Sequence, residues 1–219
     1  MNRLQQKQQT RRKLIEAALA MSAERGFSSL SLREVAKSAG IAATGFYRHF
    51  RDLDELGLVL VDEVAMALRR LIREARRRFT DKGRVRTSIE VFLDYVRESP
   101  HHFRLLLGER LGGSVAFREA LHLEIARFVA ELSDDLGAQA RAAGRSAELV
   151  PLAAEAIVAV VFTVGAEALD LPRHQHDALA DRLIGEVKII LRGAGFESRS
   201  EVAPARETKP ARPARVRRG

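Results

Sequence analysis

The stretch SLSLREVAKSAGIAATGFYRHFRDLDEL, residues 29–56, decides the fold of this chain. Ser31 and Glu34 form an S-x-x-E capping box, which predicts the start of a helix. Apolar residues then recur at helical spacing up to Gly40, which predicts the end of that helix. A second short helix is predicted from about Ala43 to Phe50. Two short helices joined at a glycine are typical of a helix-turn-helix.

The second short helix has an apolar face and a polar face. If Phe46 and Phe50 point into the small core, Thr44 and Arg48 point directly away from it. Hydroxyl, guanidinium and imidazole groups hydrogen-bond to phosphates and to base edges in the major groove of DNA. The candidate DNA-binding residues of this helix are Thr44, Gly45, Tyr47, Arg48 and His49. On spacing alone, any helical hairpin with a polar face fits the pattern equally well.

The rest of the chain also predicts helices, so the predicted fold class is all-α. A first helix from about Thr10 to Arg25 precedes the helix-turn-helix, and a longer helix runs from Asp52 to about Phe79. Breakers separate further helices predicted near residues 84–98, 101–110, 114–143, 148–170 and 175–192. The alternating pattern of strands is missing.

Composition and charge divide the chain into three parts. Residues 1–56 carry a basic arm and the helix-turn-helix, residues 57–194 form a second helical domain, and residues 195–219 are a basic Pro/Ala/Arg-rich tail expected to be disordered. Residues 1–56 hold ten Lys/Arg against six Asp/Glu, and residues 192–219 hold eight against three. The net charge of +8 therefore sits at the two ends, which indicates an anionic partner such as DNA.

Several classes of protein are excluded or disfavoured by what the sequence lacks. The chain has no cysteine, which excludes disulfides, Cys-ligated metals and thiol catalysis. It has no nucleophile-elbow or P-loop motif, and His174 and His176 are two residues apart, so they do not share a helical face as metal ligands would. We therefore expect no enzyme activity, no metal and no cofactor.

The sequence also favours a cytoplasmic protein that does not enter a membrane. The basic N-terminus lacks the apolar region of a signal peptide. The most apolar stretch, residues 150–171, is interrupted by Glu155 and Glu167. Because a membrane span needs ~20 apolar residues, this stretch is interpreted as a buried helix.

Residues 29–56 resemble the DNA-binding domain of the TetR family of bacterial repressors. The resemblance is carried by residues of the core, the turn and the polar face: Leu32, Val35, Ala36, Ala39, Gly40, Ile41, Phe46, Tyr47, Phe50 and Leu56. The first predicted helix and Gly26–Phe27 match as well. The resemblance implies a homodimer that binds a palindromic operator in double-stranded DNA, and a second domain that binds an effector and dimerises. Many members have a lysine that helps to hold a phosphate where this chain has Leu53, so that contact does not carry over.

Three segments resemble more narrowly the members that repress unsaturated fatty acid synthesis: GFYRHFRDLDELGL at 45–58, FRLLLGER at 103–110 and GAEALD at 165–170. This resemblance implies a long-chain acyl thioester, carried on coenzyme A or acyl carrier protein, as the effector. It implies an apolar cavity between the helices of the second domain. By analogy the candidate ligand-binding residues are Phe92, Tyr95, Phe103, Leu107, Phe128 and Phe162, each of which also fits plain core packing.

Basic residues outside the motif allow more than one interpretation. Arg11 and Arg12 belong to a basic arm with Arg3, Lys7 and Lys13, which either contacts the DNA backbone or minor groove or is an ordinary solvated terminus. The arginines between residues 69 and 78 bind phosphates, bind an acidic head group, or form a solvated face. The tail adds nonspecific affinity for DNA or only solubility.

Two other functions remain open beside an acyl-sensing repressor. The first is a regulator of the same fold that senses a drug or another hydrophobic metabolite. The second is a nucleoid-type protein that uses its basic ends to bind DNA without sequence preference. A helical enzyme is disfavoured by the missing catalytic motifs.

Overall fold

The computed structural model of the chain describes residues 3–78, 83–108 and 115–196, which form α-helices and short 3₁₀ turns. In chain order the helices are α1 (Arg3–Arg25), α2 (Leu32–Ser38), α3 (Ala43–Phe46), α4 (Leu53–Arg78), α5 (Arg84–Glu98), α6 (Pro100–Gly108), α7 (Val115–Ala142), α8 (Val150–Gly165) and α9 (His176–Gly193). The 3₁₀ turns are Phe27–Ser29, Ala166–Leu169 and Arg173–Gln175. The all-α fold class is confirmed. Most of the predicted tail, residues 197–219, lies outside the described residues.

Helix α2 begins and ends at the predicted residues. The Ser31 hydroxyl accepts the Glu34 N–H at 3.3 Å, and the Glu34 carboxylate accepts the Ser31 N–H at 3.1 Å, so both halves of the capping box are present. At the other end Gly40 has φ +75°, and the Ile41 N–H donates to the Ala36 carbonyl at 3.0 Å. This is a Schellman motif, whose left-handed residue is best supplied by glycine.

The structure corrects the predicted start of the first helix. Helix α1 begins at Arg3 instead of near Thr10, so the basic arm is helical in its described part. Thr10 does not act as an N-cap, because its hydroxyl donates to the Gln6 carbonyl at 2.9 Å within the same helix. The residues before Thr10 include Leu, Gln and Lys, which are good helix formers.

Two predicted helices are also shorter than expected. The second short helix is α-helical only over Ala43–Phe46, because the Arg48 and His49 N–H groups donate three residues back and tighten the chain. Helix α8 ends at Gly165 and continues as a 3₁₀ turn. Gly165 packs against Phe92 so closely that an added Cβ would lie 2.3 Å from the ring.

The DNA-binding helices and the rest of the bundle meet at Gly57, near the start of α4. The rings of Phe27 and Phe117 stack with centroids 4.9 Å apart. A Cβ on Gly57 would lie 2.7 Å from the Phe117 ring and 2.8 Å from the Phe27 ring, so only glycine fits between them. The predicted domain boundary after Leu56 therefore falls inside a continuous helix.

A buried ion pair joins α4 to α7. The Arg69 guanidinium donates to the Glu124 carboxylate, and the two side chains are only 10% and 6% exposed. Arg127 also donates to Glu124, and Arg73 contacts Glu131 at 2.7 Å. A buried carboxylate is costly unless it is paired, so Arg69 and Arg127 compensate the burial of Glu124.

Glu124→Gln is expected to destabilise the fold by about 3 kcal/mol, because Arg69 then stays buried without its main counter-charge. The matched control Glu90→Gln removes one of the two exposed acidic partners of Arg86 and is expected to have a much smaller effect. The free energy of unfolding is measured by urea denaturation at pH 7. Equal effects of the two substitutions would contradict a structural role for the buried pair.

Candidate DNA-binding face and ligand cavity

The polar face around α3 is exposed as the helical spacing predicts. Phe46 and Phe50 are buried, while Thr44 and Arg48 are exposed and the Tyr47 side chain is 64% exposed. Gly45 and His49 lie half-buried at the edge of this face. Hydrogen-bonding groups and an arginine therefore project from a short helix supported by two buried phenylalanines. This is the geometry required of a helix that enters a major groove.

Helix α1 brings further basic groups to the same surface. The Arg11 guanidinium lies 4.6 Å from the centroid of the Phe50 ring, a cation–π contact that holds it beside α3. Burial, followed by the positive charges of Lys7, Arg11 and Arg48, lowers the pKa of His49. The lowered pKa favours the neutral imidazole, which offers one hydrogen-bond donor and one acceptor. Arg12 instead pairs along α1 with Glu16 at 2.8 Å.

The start of α4 differs chemically from the family pattern. Leu53 is half-buried and packs against the core, so this position offers no cation for a phosphate. The Asp52 carboxylate accepts the Glu55 N–H at 2.8 Å and caps the helix. Asp52 also pairs with the Arg51 guanidinium at 2.9 Å.

A cavity of about 900 Å³ lies between α4, α5, α7, α8 and α9, a volume in the range of small-molecule sites. Its wall is mostly aliphatic and aromatic, with Ser88 and Gln139 as neutral polar groups. On α7 the wall follows one stripe, from Phe128 through Leu132 and Leu136 to Gln139. The twelve residues from Phe128 to Gln139 span ~16 Å at the rise of an α-helix, so the cavity is elongated along α7.

Three of the six predicted ligand-binding residues line this cavity, and three do not. Phe92, Phe128 and Phe162 are in its wall. Phe103 is fully buried behind them, with its ring centroid 5.3 Å from that of Phe92. Leu107 on α6 packs against the core outside the wall. Phe103 and Leu107 therefore do not line this cavity.

Tyr95 also lies outside the cavity, although it is only about one turn along α5 from Phe92. Its hydroxyl donates to the Val64 carbonyl of α4 at 3.4 Å and lies 2.9 Å from Nδ1 of His102. Burial raises the pKa of the Tyr95 hydroxyl. Helix α5 buries two faces, one against the cavity and one against α4 and α6. Apolar spacing alone does not tell these faces apart.

Sequence reasoning missed the charged part of the cavity wall. Its charged residues are all basic among the described residues: Arg84, Arg86, Arg145 and Lys188. They come from three separate segments of the chain, so no sequence motif marks them. The α7 stripe was a detectable signal, because its members recur at helical spacing.

Two helix ends meet at one side of the cavity. Gly144 after α7 has φ +63°, and the Arg145 N–H donates to the Ala140 carbonyl at 2.8 Å. Helix α9 ends in the same Schellman pattern at Gly195, which places Phe196 in the cavity wall. The Arg145 guanidinium donates to the Phe196 carbonyl and ties the two ends together.

Helix α8, which is strongly apolar, forms part of this wall. By length and composition alone, Val150–Leu169 is a candidate membrane span in the described part of the chain. The helix packs against α7 and α9, and Ala154, Val158 and Phe162 on it are buried. Within the described ranges, no group of three or more His, Asp or Glu is arranged to hold a metal ion.

A helix-turn-helix unit joined through one long helix to a cavity-bearing bundle is the architecture of a ligand-responsive DNA-binding regulator. Residues 14–58 match the family model described as bacterial regulatory proteins of the tetR family, and residues 81–190 match that of the tetracyclin repressor-like C-terminal domain. The chain belongs to the TetR family of transcriptional regulators. This is a non-enzymatic family, which confirms the prediction that the chain is not an enzyme.

Solved structures of this fold include regulators of fatty acid metabolism and a regulator in complex with an acyl-CoA. The fatty acid degradation regulator FadR from Bacillus halodurans is 17% identical, with a TM-score of 0.69, covering 84% of this chain and 95% of that one. FadR from Bacillus subtilis, solved in complex with stearoyl-CoA, is 16% identical, with a TM-score of 0.67 and coverage of 83% and 97%. A TetR-family regulator from Syntrophomonas wolfei is 15% identical, with a TM-score of 0.72 and coverage of 85% and 96%. At these identities the likeness shows the fold.

Arg48→Ala is expected to weaken operator binding by ~1–3 kcal/mol and to relax the preference at one base pair, as loss of a bidentate contact to guanine would. Tyr47→Phe is expected to weaken binding to all sequences by a similar factor, because a phosphate contact carries no sequence information. Both are measured on duplexes selected by the wild-type protein from random DNA. Unchanged affinity and preference in Arg48→Ala would contradict the assigned role of Arg48.

Proposed function

We propose that this protein is a transcriptional repressor of fatty acid synthesis genes, including those for unsaturated fatty acids, whose DNA affinity is modulated by a long-chain acyl thioester. It acts in the cytoplasm as a homodimer on a palindromic operator. Residues 1–56 bind DNA, residues 57–194 bind the effector and the second subunit, and the basic tail adds to either affinity or solubility. The observation that carries the proposal is the elongated apolar cavity whose charged wall residues, among those described, are all basic.

The shape and chemistry of the cavity fit an acyl thioester. A stripe of ~16 Å accommodates on the order of a dozen methylene groups, at ~1.25 Å for each bond of an extended chain. The phosphates of coenzyme A or of the carrier-protein prosthetic group are anionic, which suits a wall with Arg84, Arg86, Arg145 and Lys188.

Resemblance points to the same ligand class. The segments at 45–58, 103–110 and 165–170 resemble FabR, a repressor of unsaturated fatty acid synthesis. The structural likeness to FadR from Bacillus subtilis adds a regulator of the same fold that was solved with stearoyl-CoA. FadR from Bacillus halodurans is named a regulator of fatty acid degradation, whereas the resemblance to FabR points to synthesis, so the shared feature is the acyl chain and not the set of genes.

The outer faces of α8 and α9 support the homodimer. Leu152 is 64% exposed and Ile189 is 68% exposed, which is unusual for large apolar residues. Ala159 and Gly185 are also exposed on these helices and permit a close approach. In a two-fold dimer, each subunit presents the same face to the other. The dimer then sets the two recognition helices ~34–36 Å apart, the spacing of successive major grooves.

Helix α4 is the proposed route from the cavity to the DNA-binding face. Ile72 of α4 lies in the cavity wall. One turn earlier, the Arg69 guanidinium lies 5.8 Å from the ring centroid of Phe128, another wall residue. Near its start, α4 contacts Phe27 of the DNA-binding domain at Gly57. A ligand that shifts α4 therefore shifts the recognition helices.

The direct test is an operator titration with and without palmitoyl-CoA and oleoyl-CoA, on DNA from upstream of fatty acid synthesis genes. We expect at least one thioester to shift operator affinity by more than ~5-fold, about 1 kcal/mol of coupling. Leu132→Trp fills the cavity and is expected to abolish the shift while keeping the affinity of the ligand-free protein. The control Leu123→Trp alters an exposed position on the same helix and should keep the shift.

Three outcomes would contradict the proposal. If neither thioester shifts wild-type affinity by ~5-fold, acyl sensing fails and the cavity senses another hydrophobic metabolite or a drug. If Leu132→Trp lowers the free energy of unfolding by the ~1–3 kcal/mol typical of an overfilled core, Leu132 lies in a packed core and not in the wall of a ligand cavity. If bulk genomic DNA competes equally with the operator, the protein lacks the ~10³-fold specificity of an operator-binding protein.

A further inference from the structure

The basic residues of the cavity wall differ in whether their charge is already paired. Arg86 contacts Asp181 at 2.9 Å and Glu90 at 3.4 Å, so two carboxylates neutralise it. The Arg145 guanidinium donates to the Phe196 carbonyl. Both side chains have structural partners within the fold. Arg86 is therefore neutralised by carboxylates, and Arg145 already ties the ends of α7 and α9 together.

Lys188 is the contrasting case. It lines the cavity and is half-buried, and within the described part of the chain its ammonium group has no hydrogen-bond or ion-pair partner. The residues three and four positions away on α9, the ones that share its helical face, include no acid. They are Ile184, Gly185, Leu191 and Arg192.

The acids of α9 do not compensate Lys188. Asp181 pairs with Arg86 of α5, and Glu186 lies 3.7 Å from Arg182. The neighbours of Lys188 in the cavity wall on the same helix are Val187 and Leu191, which offer no hydrogen-bonding side chains. A partly desolvated ammonium group beside an apolar wall gains most from an anion that enters the cavity.

We propose that Lys188 is a specificity-determining residue that binds the anionic group of the cavity ligand. The cavity therefore selects amphiphiles with a negatively charged head over neutral or cationic amphiphiles with the same tail. The head is a carboxylate or a phosphate, supplied by a free fatty acid or by coenzyme A. This inference deepens the proposed function because it concerns the same cavity, but it does not depend on which genes are controlled.

The test measures direct ligand binding by calorimetry, with no DNA present. Dodecanoate, 1-dodecanol and dodecyltrimethylammonium have the same tail with a negative, neutral and positive head. The wild-type protein is expected to bind dodecanoate about 10-fold more tightly than dodecanol, the low end for a charge-assisted hydrogen bond, and the cation most weakly.

Substitutions of Lys188 separate its charge from its packing. Lys188→Met keeps an unbranched apolar stem and is expected to lose about 10-fold in dodecanoate affinity, while dodecanol affinity stays within about 2-fold. Lys188→Arg keeps the charge and should retain the preference. The matched control Lys37→Met removes a lysine from α2 in the DNA-binding domain and should leave all three affinities unchanged.

Two results would overturn the inference. The first is equal wild-type affinity for dodecanoate and dodecanol. The second is a loss of both affinities by the same factor in Lys188→Met, since that is the effect of lost packing. A parallel titration with dodecanoyl-CoA identifies the source of the anion: a loss in Lys188→Met supports a coenzyme A phosphate, and a loss restricted to dodecanoate supports a carboxylate. These titrations contain no DNA, so their results stay interpretable even if the protein does not control fatty acid synthesis genes.

Discussion

The contact of Gly57 with the stacked rings of Phe27 and Phe117 is the constraint on which the arrangement of the molecule depends. Phe27 belongs to the DNA-binding domain, Phe117 belongs to α7 of the cavity-bearing bundle, and Gly57 lies near the start of α4. A side chain on Gly57 would separate the three elements, so the absence of a Cβ lets two domains pack as one body. Fifteen residues further along α4, at a distance of ~22 Å, Ile72 reaches the cavity.

Helix α4 is therefore held at two places that differ in chemistry. At its start the contacts are aromatic and closely packed. Near its middle, Arg69 is buried between Glu124 and the ring of Phe128. A ligand beside Phe128 would act on the ion pair and on α4 together, because Arg69 contacts both Phe128 and Glu124. Coupling between two sites is typically ~1–3 kcal/mol, which is small beside the cost of breaking a buried ion pair, so α4 is expected to move as a rigid rod.

The sequence predicted the DNA-binding domain well because its capping, turn and apolar-spacing signals all indicate the same helices. The Ser31–Glu34 capping box and Gly40 define α2, and the spacing of Phe46 and Phe50 defines which side of α3 is exposed. Capping and helix-propensity rules did not locate a helix end where more than one residue satisfied them. The first helix was predicted to start at about Thr10, but Thr10 lies inside α1.

The cavity was predictable only in part, for reasons of tertiary packing. Phe92 and Tyr95 are both buried on α5, yet they face the cavity and α4 respectively, and only the contacts of α5 with its neighbours decide which. Lys188 has no sequence signal, because a lysine on an amphipathic helix is ordinarily solvated. Arg145 and Phe196 are far apart in sequence and meet only through the folded ends of α7 and α9.

The most direct measurement of the central claim, that the cavity and the DNA-binding face are coupled, is the affinity of palmitoyl-CoA for the free protein and for the operator-bound protein. Linkage requires that operator DNA change the affinity for the ligand by the same factor by which the ligand changes the affinity for the operator. We predict equal factors of ~5-fold or more in the two titrations. Identical palmitoyl-CoA affinity with and without saturating operator would contradict the coupling.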